Sequence, residues 1–261
     1  MKNPTREFAR RVYRLHRRPL LKASLIAVGP LCLLDCAKVF FTSSGLLPTW
    51  PFFLLYAAAA CLLYPLTLSF TRTCVRTLLE ADPALEDPFF YWKNGLRTAL
   101  LLGLLLQGPS LVVGAGTEAL NRLLPAMSSP WMELSVLVLL AAIGGLFWFT
   151  LSVFPAPYLY IGGKIPFPAL PGESWSRMRG HRLALVSFTV PLVLLFLIPF
   201  LLFSWPGSLL AAHLEPYAAV LVRTAAALFS GLFTVAVQPY IILALSAFAE
   251  PLAASGRRGH R

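Results

Sequence analysis

Apolar residues run along this chain in blocks of about twenty, broken by short polar stretches. Twenty apolar residues are what a helix needs to cross the ~30 Å of hydrocarbon in a bilayer. The blocks do not alternate in and out, so they read as helices rather than barrel strands. The pattern predicts six spans, at residues 20–41, 51–71, 98–116, 132–161, 183–203 and 218–248. Prolines fall inside most of them: Pro30, Pro65, Pro109, Pro155, Pro191, Pro199 and Pro239. Membrane helices tolerate such kinks when neighbours satisfy the freed carbonyls.

The breaks on one side are short, at residues 42–50, 117–131 and 204–217. Short connections pair the helices as three antiparallel hairpins. The other breaks are longer and amphipathic, and each hairpin is expected to begin at a short interfacial helix. Asp87-Pro88 reads as an N-cap followed by a first-turn proline, and Asn94-Gly95 as a stop. Ser174 reads as a second N-cap and Gly180 as its stop. The segment Gly95-Leu-Arg97-Thr-Ala-Leu100 resembles Gly180-His-Arg182-Leu-Ala-Leu185, and residues 8–18 supply a third amphipathic stretch. Pro65, Pro155 and Pro239 fall near the same end of the even spans. Three repeats of interfacial helix plus hairpin are one reading; the general likeness of membrane hairpins is the other. The fold class expected is all-α: a polytopic transmembrane bundle over residues 20–248, with a basic amphipathic segment at 1–19 and a basic tail at 249–261.

Composition agrees. Of 261 residues, 57% are hydrophobic and 13% charged, with a mean hydropathy of +0.72, and a soluble domain would carry nearly twice that charge. The formal net charge is +11. Such a balance can signal nucleic acid, but its distribution points to a membrane surface. All but three of the 22 Lys and Arg residues precede or open span 1, or fall in the loops after spans 2 and 4 or in the tail. The exceptions are Lys38, Arg122 and Arg223. By the positive-inside rule both termini are cytoplasmic, which requires an even number of spans. The basic face suits anionic headgroups. The cations expected to meet them are Arg10, Arg11, Arg14, Arg17, Arg18, Arg177, Arg179 and Arg182. Trp50, Trp131 and Trp205 mark the outer interface, and Trp92 and Trp175 the inner one.

The basic start before an apolar run is also the layout of a signal peptide, but no small-residue cleavage site follows. Leu33-Leu34-Asp35-Cys36 lacks the small residue a lipidation box needs. Cys32, Cys36, Cys61 and Cys74 fall within or beside spans 1 and 2, so no disulfide framework is expected. Small residues at Ala57–Ala60, and at Ala141, Ala142, Gly144 and Gly145, predict close helix packing.

Few residues could carry chemistry. An ionisable group inside a membrane is costly and therefore a site candidate. Asp35 and Lys38 lie one turn apart in span 1, and Arg223 lies near the same level in span 6. A structural ion pair, Asp35 with Lys38 or with Arg223, is preferred over a functional one. Gln107 and Gln238, the two glutamines, each stand beside a proline motif within a span. An amide satisfying the kink is preferred over a transporter-type binding site. Glu80, Asp82, Glu86 and Asp87 are read as helix caps rather than a divalent site. No metal, cofactor or catalytic constellation is expected: there is no Gly-x-Ser-x-Gly, His-Glu-x-x-His or phosphate loop.

The segment Glu173-Ser174-Trp-Ser-Arg177-Met178-Arg179-Gly180-His181-Arg182, with Phe89–Gly95 before span 3, resembles a bacterial family of six-span integral membrane proteins of unknown function. The resemblance implies a bacterial cytoplasmic membrane and carries over no catalytic residue. The function expected is non-enzymatic: a structural, regulatory or assembly component, with lipids and a protein partner or a second copy at its basic face and no nucleic acid. The alternative is a small transporter or lipid-handling protein with its site among the intramembrane polar residues.

Overall fold

The computed structural model describes residues 4–45, 49–80, 87–123, 129–162 and 165–255. Among these every regular element is helical. Lys2, Asp82, Glu86, Lys164 and the tail cations Arg257, Arg258 and Arg261 lie outside the described residues, as do the side chains of Trp50, Arg122 and Trp131.

Helix α1 (Pro4–Leu15) is amphipathic, with Glu7 in its first turn, Arg14 in its last and Ala9 wholly buried. One residue, His16, separates it from α2 (Arg17–Ser43), and α3 (Thr49–Leu79) follows. A single turn, α4 (Phe90–Lys93), precedes α5 (Leu96–Leu123). Helix α6 (Ser129–Val153) stops just before Pro155, whose ring cannot continue the hydrogen-bond ladder. The chain resumes as α7 (Ala156–Ile161), then passes a 3-10 turn, Phe167–Ala169, into α8 (Leu170–Arg177). Helix α9 (Arg182–Pro199) opens into one wide π turn, Phe200–Ser204, between Pro199 and Pro206, before α10 (Trp205–Ala211). Such wide turns absorb missing i−4 bonds. The last and longest helix is α11 (Pro216–Ser255).

Five stretches are long and apolar enough to cross a membrane: Arg17–Ser43, Ala58–Leu79, Glu133–Ile161, Arg182–Ala211 and Pro216–Leu252. The predicted span 98–116 lies on α5, where the described apolar stretch, Leu96–Gly108, is shorter. Large apolar side chains such as Leu33, Leu137, Val193 and Leu221 are exposed along these helices. Such a surface is compatible with a membrane protein, whose outer face meets lipid tails.

The helices pack in chain order: α2 on α3, α3 on α5, α5 on α6, α6 on α9 and α9 on α11. Helix α11 then lies along α2, in the most extensive of these contacts, and closes the circuit. The pairs Ser24 with Val235 and Cys32 with Gly231 show that α2 and α11 run antiparallel. Helices α3, α7 and α11 also touch one another pairwise. Pro65, Pro155 and Pro239 are fully buried where they do so. Two crossings depend on glycine. A Cβ on Gly231 would stand 2.9 Å from the Cys32 Cβ, and one on Gly103 would stand 2.7 Å from that of Tyr64. Backbones approaching this closely gain packing contacts, the main source of helix association in lipid.

The three short helices recur in position. Helix α1 packs on α11 and α2, α4 on α3 and α5, and α8 on α6 and α7. Each therefore braces at least one long helix: α1 braces α2 and α11, α4 braces α3 and α5, and α8 braces α6. Gly95 and Gly180, the predicted stops of α4 and α8, have φ of +104° and +87°, a region open to glycine and strained for other residues. The junction of α1 with α2 has no such glycine.

Three sequence expectations are corrected. Residues 204–217 are not simply a loop, because α10 carries helix through to Ala211. Ser174 does not cap α8. The helix begins at Leu170 with Pro171 in its first turn, and Ser174 is buried inside it, donating to the Ser152 carbonyl at 3.1 Å. Ala141, Ala142, Gly144 and Gly145 do not pack closely but lie exposed on α6, which meets its neighbours through Phe149, Ser152 and Val153 lower down.

Candidate functional site

At the basic end of the bundle, the ends of α3, α7 and α11 line a cavity of about 240 Å³. Helix α3 contributes Arg72 and Arg76, and Glu80 follows its last residue with its N–H bonded to the Arg76 carbonyl at 2.7 Å, so the three are spaced at intervals of four. Helix α7 contributes Tyr158, and α11 contributes Ser246 and Glu250. Arg76 Nε lies 3.8 Å from Glu80 Oε1, with both groups half exposed. Ser246 donates to the Ile242 carbonyl at 2.7 Å, and Tyr158 is hydrogen-bonded to Ser246. The Arg72 guanidinium lies 3.5 Å from the Phe90 ring centroid, tying the rim of the cavity to α4. With two cations, two carboxylates, a phenol and a hydroxyl, the cavity offers donors and acceptors of both signs.

Around this cavity, arginines hold the short helices in place. Arg6 of α1 donates to the Phe188 carbonyl at 2.8 Å and the Ser187 carbonyl at 3.2 Å, and stacks on the Phe188 ring. Arg182 donates to Ser152 Oγ at 2.9 Å, with its guanidinium near the faces of Trp148 and Trp175. Arg177 reaches Glu173 and, at 3.3 Å, the Leu252 carbonyl. Two of the eight cations expected at lipid, Arg177 and Arg182, thus brace the chain itself. Arg10, Arg11, Arg14, Arg17, Arg18 and Arg179 are exposed. Asp87 Oδ1 accepts from the Phe89 N–H at 2.9 Å, and its other oxygen takes a 2.6 Å bond from Lys93. The lysine hydrogen bond, then the Phe89 N–H, hold the Asp87 carboxyl below the usual carboxylate range.

The intramembrane candidates do not share one site. Asp35 lies beside Lys38 on α2, and the Tyr56 hydroxyl of α3 is hydrogen-bonded to it. The Lys38 ammonium lies 5.3 Å from the Tyr56 ring centroid. Arg223 is exposed on α11 and is not among the groups acting on Asp35. Gln107 and Gln238 are half-buried on α5 and α11. None of the five lines the cavities described here. Tyr56 was missed in the sequence because nothing local distinguishes it from other apolar-span aromatics. Arg6 and Arg72 were missed because their partners are distant in the chain or belong to another element.

Comparison with protein-family models, with curated proteins and with solved structures gave no match. What the fold defines is a class: an all-helical protein with five helices long and apolar enough to span a bilayer, as in an integral membrane protein.

Proposed function

We propose that this chain is a six-span protein of a bacterial cytoplasmic membrane, with both termini on the cytoplasmic side. Three hairpins, each entered from a short interfacial helix, make up its body. Its role is non-enzymatic: a structural, regulatory or assembly component that engages a protein partner at its basic face. The observation that carries this reading is the location of the polar cavity. It opens where α3, α7 and α11 meet beside the braced short helices, while the intramembrane polar residues stay dispersed. The positive-inside distribution supports the orientation.

A photo-crosslinking residue placed at Arg76, at Glu250 and at Tyr217 tests it in living cells. Discrete crosslinked species, a second copy included, are expected from Arg76 and Glu250 and not from Tyr217. Crosslinks absent from the first two positions, together with a solute flux abolished by Asp35→Asn, would favour a transporter instead. A lipid-handling role is the second reading. It is favoured by an apolar groove of about 520 Å³ between α2 and α11.

A further inference from the structure

We propose that the groove between α2 and α11 is a seat for one anionic phospholipid, with an acyl chain in the groove and the phosphate at Lys22 and Arg18. The proposal rests on the lipid-handling reading and names the ligand of that surface. Gly29 of α2 lines the groove without a side chain to fill it, and Gly231 of α11 lines it where the two helices cross closely at Cys32. Leu25, Ile26 and Leu33 of α2 and Leu228 and Leu232 of α11 line it, with Leu66 of α3 and Phe89. Its volume of about 520 Å³ falls within the ordinary range of small-molecule sites, and its lining is almost wholly apolar. A smaller pocket of about 150 Å³ shares Ile26 and Leu66 with it and extends to Thr73 and Asp87, toward the basic end.

The charge on α2 completes the site. Lys22 lies four residues before Ile26 and Arg18 four before Lys22, so both stand on the helical face that lines the groove. Both are exposed. At 1.5 Å per residue, Leu33 lies ~16 Å from Lys22 along the helix. One face therefore presents two cations and then an apolar channel. That is the complement of an amphiphile with an anionic head, and a zwitterionic headgroup would gain less from it. Lys93 already pairs with Asp87, so the carboxylate at the inner mouth is neutralised.

Native mass spectrometry of the full chain, released from detergent, tests the proposal. The probes are phosphatidylglycerol, phosphatidylcholine and glycerol 3-phosphate. One phosphatidylglycerol is expected to be retained at a concentration at least about tenfold below that needed for phosphatidylcholine. The pair Arg18→Gln and Lys22→Gln should erase the difference. Gly29→Leu should displace the chain, and Leu33→Trp does the same from an exposed position that folding tolerates. The control Arg97→Gln, at an exposed cation outside the groove lining, should leave retention unchanged. A control as damaging as the pair would reduce the site to diffuse surface charge and overturn the proposal. So would glycerol 3-phosphate binding as well as the lipid, Leu33→Trp having no effect, or a dimer that Leu33→Trp dissociates. Crosslinking from Arg76 and Glu250 is scored separately, so lost lipid retention with intact crosslinks sinks only this site.

Discussion

The Ser24 hydroxyl donates a buried 2.8 Å hydrogen bond to the carbonyl of Val235. Pro239, four residues further on, has no N–H to give that carbonyl. Tyr13 donates to the next one, Ala236, at 3.1 Å. Arg6 does the same for Ser187, whose helical partner would have been Pro191. The first two helices therefore supply side chains to the Val235 and Ser187 carbonyls, freed by Pro239 and Pro191, and to the neighbouring Ala236 carbonyl. The bonds that let α9 and α11 carry prolines also close the helical circuit.

Ser24→Ala should lower stability in detergent by about 1 kcal/mol, within the range measured for interhelical bonds in membranes. Pro239→Ala restores a backbone donor for Val235. In that background the cost of Ser24→Ala should shrink, and a double-mutant cycle of thermal unfolding reads the coupling. A strictly additive cycle would contradict the link between the two residues.

The glycine stops should not respond alike. Alanine at either position is strained by its φ, at a cost of about 1–2 kcal/mol. At Gly95 the new Cβ would also meet the Tyr160 hydroxyl at 2.8 Å, whereas at Gly180 it meets nothing within 4 Å. Gly95→Ala is expected to be the more destabilising, and adding Tyr160→Phe should recover part of the loss. Unfolding midpoints of the three variants check the order.

Arg182→Lys should destabilise the chain by about 1–2 kcal/mol. A lysine keeps the charge but loses the planar group that faces Trp148 and Trp175 while bonding Ser152. Arg179→Lys, on an exposed side chain, should be close to neutral. Equal effects would show that charge alone matters at this end.

Asp87 gives a pH dependence of known sign. Its folded pKa is lowered, first by Lys93 and then by the Phe89 N–H. Its contribution is therefore fully present above about pH 4 and is lost as pH falls through the lower folded value. The group is exposed, so the effect is small. Asp87→Asn should lower the unfolding midpoint slightly at pH 6, and the gap should narrow as pH falls through the lowered folded value. A gap that widens on acidification would contradict the assignment.

Much of the architecture was legible because it is local. Apolar blocks of fixed length gave most of the helices, and Gly95 and Gly180 announced their stops through a backbone conformation few other residues adopt. What escaped was long-range. Gln238 stands beside Pro239 in sequence and looked like the group that would satisfy its kink, yet Ser24 and Tyr13, more than 200 residues away, donate to the carbonyls there. Ser174 has the chemistry of a cap but sits inside a helix that starts four residues earlier. The small residues of α6 predict packing, but which face meets a neighbour depends on how the helices are arranged, and that arrangement is not encoded locally. The polar cavity was invisible for the same reason: Arg76, Tyr158 and Glu250 belong to three helices that only the fold brings together.

The reading depends most on the basic end facing the cytoplasm. Single cysteines at Arg179 and at Tyr217, probed with a membrane-impermeant maleimide, test this directly. In intact cells the Tyr217→Cys chain should be labelled and the Arg179→Cys chain protected, with the pattern reversed in inverted vesicles. Labelling of both positions from the same side, or the opposite pattern, would contradict the account.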